Sequence, residues 1–169
     1  VRDVSQVRVS PDGKRVAYCI ADLVMTEDKS ECVTQVYIAD TSGSNIRQIT
    51  YSENASSDPQ WSPDGKWIAF TAFQSQSASD VFVARYPDMS GRLQVSTAGG
   101  EAPHWRKDGK EIYYRSNLRM MAVKVSEKGN AIELGNPEAL FEVAVRNLTG
   151  RGTMSRRTAA TCSMARSTC

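Results

Sequence analysis

Histidine is nearly absent from this 169-residue chain: His104 stands alone, and no Gly-x-Ser-x-Gly segment occurs. A triad hydrolase needs a general-base histidine beside a serine on a Gly-rich elbow, so the sequence carries no catalytic set of that kind. Cysteine is sparse too. Cys19, Cys32, Cys162 and Cys169 form no Cys-x-x-Cys pair and have no histidine at metal-ligand spacing, so neither a metal nor a cofactor is expected. The acidic trio Glu27, Asp28 and Glu31 lacks the spacing of a calcium loop. No apolar run approaches the roughly 20 residues a membrane helix requires, so membrane insertion is not expected. Charge of one sign is also missing. Lys and Arg number 21 against 19 Asp and Glu, and only Arg146, Arg151, Arg156 and Arg157 gather in one region, so nucleic acid is not an expected partner. The chain opens on Val1 without a charged-then-apolar leader and reads as processed or as a fragment. Compartment and oligomeric state have no signature here.

What the chain does have is a repeat. Val9-Ser10-Pro11-Asp12-Gly13-Lys14-Arg15-Val16-Ala17-Tyr18 aligns without a gap with Trp61-Ser62-Pro63-Asp64-Gly65-Lys66-Trp67-Ile68-Ala69-Phe70. Trp105-Arg106-Lys107-Asp108-Gly109-Lys110-Glu111-Ile112-Tyr113-Tyr114 is a third copy, and the Asp positions lie 52 and 44 residues apart. Proline presets φ for a type I turn, Asp accepts the next position, and Gly takes the left-handed conformation that closes a bulged hairpin. Lys107 replaces proline in the third copy, but Asp108-Gly109 still makes the turn.

Around each hairpin the pattern predicts four strands. In the middle copy these are Pro59–Ser62, Lys66–Ala72, Asp80–Tyr86 and Arg92–Ser96, with turn residues such as Thr41-Ser42-Gly43, Pro87-Asp88 and Lys128-Gly129-Asn130 between strands. The fourth strands of the outer copies are expected at Ile46–Thr50 and Ala139–Val143, and the polar stretch Asp22–Val33 reads as a rim loop. Four-stranded units of about 40 to 50 residues mark propeller blades. The expected fold is all-β: a partial β-propeller over 1–146, with three antiparallel blades at about 4–50, 58–97 and 102–145, then an irregular tail over 147–169.

These three in-phase copies resemble the WD-like repeat of TolB-type propellers, which also occurs in the propeller domains of prolyl-oligopeptidase-type serine peptidases. The resemblance covers roughly residues 4–145. Val1–Phe70 looks most like the start of a peptidase propeller, whereas Asp80–Phe141 looks more like propellers attached to bacterial receptor-type protein kinases. The resemblance implies a non-catalytic module that binds a protein or peptide. It also implies two alternative settings, the substrate-gating part of a peptidase whose catalytic domain lies elsewhere and the sensor domain of a kinase.

Within the repeat, Arg8, Gln60 and His104 occupy one position, each just before Val9, Trp61 or Trp105. First strands lie innermost in a propeller, so this polar set is a candidate channel lining, with ordinary strand hydrogen bonding as the alternative. The tryptophans are expected to pack in the core, and Ser10 and Ser62 to bond the turn backbone. Beyond Gly152 the pattern stops. An unfolded tail, a weak helix and a frame error compete there. Read one base earlier, the codons can spell Asp-Val-Ser-Pro-Asp-Gly-Arg-Tyr-Leu, an out-of-frame fourth copy whose Asp falls at Thr158, 50 residues beyond Asp108.

Overall fold

The computed structural model describes residues 3–25, 30–75 and 77–143, so the tail reading lies outside the described residues. Among these the chain forms only strands, arranged in three antiparallel sheets in chain order. Sheet 1 contains β1 (Asp3–Val9), β2 (Arg15–Met25), β3 (Ser30–Asp40) and β4 (Arg47–Gln48). Sheet 2 contains β5 (Ser56–Trp61), β6 (Trp67–Phe73), β7 (Ser79–Arg85) and β8 (Leu93–Gln94). Sheet 3 contains β9 (Glu101–Trp105), β10 (Glu111–Ser116), β11 (Arg119–Lys128), β12 (Ala131–Leu134) and β13 (Glu138–Glu142). The length of β11 lets its first half pair with β13 and its second half with β12, so sheet 3 holds one more strand than the repeat requires.

The hairpins are three copies of one structure. The amides of Gly13, Gly65 and Gly109 each donate at 2.9 Å to the carbonyl three residues back, and their φ values are 70°, 72° and 74°. The carboxylates of Asp12, Asp64 and Asp108 each accept the amide of the Lys two residues on, at 3.1 Å. Ser10 and Ser62 donate to the same carboxylates and accept the amides of Arg15 and Trp67, as expected of turn-bonding hydroxyls. In the third copy Arg106 replaces serine and holds Asp108 by an ion pair of 3.2 Å.

Two strand expectations are corrected. The described residues of Asp22–Val33 are strand, not rim loop: β2 and β3 stay in register through Asp22 with Val33 and Leu23 with Cys32, out to Met25 with Ser30. Leu23 and Val33 suit a pleated pair, and the polar residues of the stretch concealed it. The inner strands also begin earlier than the turn pattern implied. Gln6, Asp58 and Ala102, each six residues before a hairpin Asp, all have φ of 53°. A bulge at this point re-aims the strand, and pairing resumes on its far side, as at Val4 with Ile20 and Ser56 with Ala72.

Alternation along the strands sends side chains to two faces, and the sheets bury them in series. Ala17, Cys19, Val36, Ile38 and Ile49 of sheet 1 pack against Trp61, Ile68, Phe70, Ala72 and Ala84 of sheet 2. The other face of sheet 2, with Trp67, Val81, Val83 and Val95, packs against Ile112, Tyr114, Val123, Val125 and Ile132 of sheet 3. Trp61 and Trp67 are buried as expected, whereas Trp105 is only half-buried.

Three outcomes follow. A Cβ on Gly100 would stand 2.7 Å from Tyr114 Cδ2 and 2.9 Å from Ser96 Cβ, so Gly100→Ala should lower the unfolding free energy by about 1–3 kcal/mol in urea titration. Burial, and then the charge of Asp58, push the Cys19 thiol up to about 12, while Cys32 is exposed. Iodoacetamide at neutral pH should therefore label Cys32 and spare Cys19 until the chain unfolds, as read by peptide mass mapping. Hydrogen bonds from Ser10 and the Lys14 amide hold Asp12 below its ordinary value; burial works to raise Asp64, but its bonds from Ser62 and Lys66 outweigh that and hold it low. Both carboxylates thus stabilise the fold above the ordinary 3.8 and lose this contribution as pH falls through their depressed folded values. Asp64→Asn should flatten the acid limb of a stability–pH curve.

Candidate functional site

Arg8, Gln60 and His104 fall at one register of the three inner strands, opposite Ala17, Ala69 and Tyr113. These strands are neighbours, β1 packing on β5 and β5 on β9. Arg8 and His104 are exposed and Gln60 half-buried. No hydrogen bond or ion pair joins the three side chains among the described residues; Arg8 instead donates to its neighbour's carbonyl, that of Val7, at 3.0 Å. Its own carbonyl accepts the indole N–H of Trp61 at 3.2 Å, which ties sheet 2 to sheet 1.

A second polar set lies between the sheets, and the sequence reading missed it. Gln6 Nε2 donates to Asp58 Oδ1, and the Asp58 amide donates back to Gln6 Oε1, both at 2.8 Å. Cys19 also donates to Gln6 Oε1. One repeat on, Thr71 replaces Cys19: its hydroxyl donates to Asp58 and accepts the amide of Ala102 at 3.1 Å. Each left-handed bulge residue after the first thus has its amide received by the preceding sheet. The signal was positional, since Gln6, Asp58 and Ala102 share no chemistry but share a distance from the hairpin.

The rim that carries the hairpins holds a concavity. Between the hairpins of sheets 2 and 3 lies a groove of about 450 Å³, floored by Pro63, Trp67, Trp105, Val125 and Ile132 and edged by Asp64, Asp108, Lys110 and Glu127. That volume lies in the range of ligand sites. The indole N–H of Trp105 is buried without a hydrogen-bond partner, whereas its counterpart on Trp61 donates to the Arg8 carbonyl. In the equivalent region between sheets 1 and 2, Arg15, at the Trp67 position, stacks 5.0 Å over the Tyr86 ring and Arg47 bonds the Pro87 carbonyl, beside a smaller hollow of about 340 Å³. Groups of three or more His, Cys, Asp or Glu placed to hold a metal do not occur among the described residues.

No family model matches the chain. It is 28% identical over 127 residues to the uncharacterized peptidase YuxL of Bacillus subtilis, covering 68% of this chain and 17% of that protein. It is 31% identical over 80 residues to the Tol-Pal system protein TolB of Alcanivorax borkumensis, covering 46% of this chain and 18% of the relative. The structure of a putative TolB from Agrobacterium tumefaciens superposes with a TM-score of 0.57 at 25% identity, over 79% of this chain and 47% of that one. The chain therefore spans less than a fifth of the length of these curated relatives. Solved β-propellers are among its structural neighbours, and their fold matches three antiparallel sheets stacked face to face in chain order. By repeat, by sheet architecture and by likeness, the chain is a run of TolB-like β-propeller blades.

Proposed function

We propose that this chain is a non-catalytic, protein- or peptide-binding stretch of a larger TolB-like propeller and that it binds in the groove between sheets 2 and 3. The observation that carries the reading is the groove itself: two tryptophans, Ile132 and Val125 form an apolar floor between polar edges. Aromatic anchors in a concave, partly desolvated site are the usual source of peptide-binding energy. The TolB relative is named for the Tol-Pal system, which is consistent with a protein partner. Absence of a nucleophile elbow from the sequence supports the non-catalytic part. A second reading draws on the likeness to YuxL: the same blades belong to a serine peptidase and gate access to a catalytic domain elsewhere. The sensor domain of a receptor-type kinase is a third setting. The channel position of Arg8, Gln60 and His104 is the competing site within the chain.

Peptides selected from a random display library on the immobilised chain separate these sites. Ile132→Glu and Trp105→Ala should each raise Kd at least about tenfold, while a combined Arg8→Ala, Gln60→Ala, His104→Ala variant binds as before. The opposite pattern assigns binding to the inner strands, and failure to select any peptide contradicts the binding module. Turnover of peptide substrates by the purified chain would contradict the non-catalytic assignment.

A further inference from the structure

The groove between sheets 2 and 3 continues past its hairpins. Trp67 and Ile132 wall it and also wall a second hollow of about 280 Å³, which runs out to Ser90 and Gly91 after β7 and to Asn130 before β12. The two form one trough across the rim, from the Pro63 hairpin to the outer turns of both sheets. Neighbouring strands lie about 4.8 Å apart, so a crossing from the β5–β6 hairpin to the β7–β8 turn covers about 10–15 Å, roughly the length of three or four extended residues.

The outer hollow holds a cation without a counter-charge. Arg85 lines it and stands directly across from Trp67 in the register of β6 and β7, so both side chains rise from the face of sheet 2 that meets sheet 3. The same cross-strand position holds Arg15 opposite Asp40 in sheet 1 and Glu111 opposite Lys124 in sheet 3, a cation facing an acid each time. Sheet 2 puts Trp67 where the acid would stand. Among the described residues the half-buried Arg85 side chain forms no hydrogen bond and no ion pair. Its charged neighbours are committed elsewhere: Asp88 accepts the Ser90 hydroxyl at 2.8 Å, and Lys66 pairs with Asp64 at 3.1 Å. At the hairpin end Asp108 is held by Arg106, while Lys110 and Glu127 bring opposite charges to the edge that sheet 3 supplies.

We propose that the trough takes the C-terminus of a partner chain, with a large apolar last side chain against Trp67 and Ile132 and the α-carboxylate on Arg85. Charge complementarity names this occupant. A guanidinium with no acceptor of its own matches a carboxylate in charge and in its forked geometry. In an extended peptide adjacent side chains point to opposite sides, so an acid next to an apolar anchor faces away from the trough. The anchor's own α-carboxylate is attached to the same Cα as the anchoring side chain. That spacing suits Trp67 and Arg85, directly opposed residues whose Cβ atoms lie about 5 Å apart. The inference rests on the reading of the groove as a peptide site and adds which peptides it takes.

Short peptide pools, dye-capped at the N-terminus and random except for a last leucine or phenylalanine, are made as free acids and as amides and titrated with the purified chain by fluorescence anisotropy. The free acids should bind with a Kd at least about tenfold below that of their amides, a gap that Arg85→Gln erases and Arg85→Lys keeps in part. Equal binding of acid and amide by the original chain overturns the proposal, as does an acid preference that survives Arg85→Gln. Amides carrying an internal aspartate or glutamate that match the free acids, and lose this with Arg85→Gln, make a side-chain carboxylate the occupant and overturn it too. Ile132→Glu reports the groove separately, because it should weaken acid and amide alike. Binding that depends on Ile132 without an acid preference removes the C-terminal inference and leaves the groove standing, whereas no binding, or binding indifferent to Ile132, contradicts both.

Discussion

The structure depends on one short-range contact made three times, the hairpin Asp carboxylate accepting the amide two residues on. Its length is 3.1 Å in every copy, and the Gly between the partners is left-handed each time. The contact is worth only about 1 kcal/mol taken singly. Its consequence is larger, because the turn fixes the register of the first two strands, and a slip of one residue would exchange every side chain between faces. Ile68 and Phe70 would then leave sheet 1, and Trp67 would leave sheet 3. Proline is dispensable for this job, since Lys107 occupies its place in a hairpin of the same geometry.

Once register is set, stacking follows from alternation, and a second layer of polar contacts fixes how each sheet meets the one before it. Gln6 accepts the Asp58 amide and Thr71 the Ala102 amide, backbone donors that the bulges turn out of the ladder, and Thr71 also donates to the Asp58 carboxylate. The amides lie at a half-buried seam, where leaving one unsatisfied costs up to about 1–3 kcal/mol. Cys19 belongs to this seam as a neutral hydrogen-bond donor, which agrees with its strongly raised pKa and with its place in the sheet 1 core.

The hairpins, the all-β class and the packing of Trp61 and Trp67 were legible in the sequence because each depends on residues within a few positions of one another. The seam was not, because Gln, Asp and Ala share no property except their distance from the turn. The β2–β3 extension was hidden by the polar residues in the stretch, where even Leu23 is exposed and no apolar run marks the strands. The groove could not be read at all. It depends on β12, which brings Ile132 over Trp67, and on the absence of the Arg15–Tyr86 stacking that lies in the equivalent region one repeat earlier. Arg8, Gln60 and His104 share one register on the neighbouring strands β1, β5 and β9, but alignment within a repeat gives a shared register, not a shared ligand.

Residue-resolved amide exchange at Lys14, Lys66 and Lys110 tests most directly whether three equivalent hairpins hold the sheets in register. The account predicts that all three amides, together with those of Asp58 and Ala102, exchange far more slowly than in an unfolded chain and lose protection in one cooperative step. Exchange of any one hairpin amide at the unfolded rate, while the others stay protected, would contradict the equivalence of the three repeats.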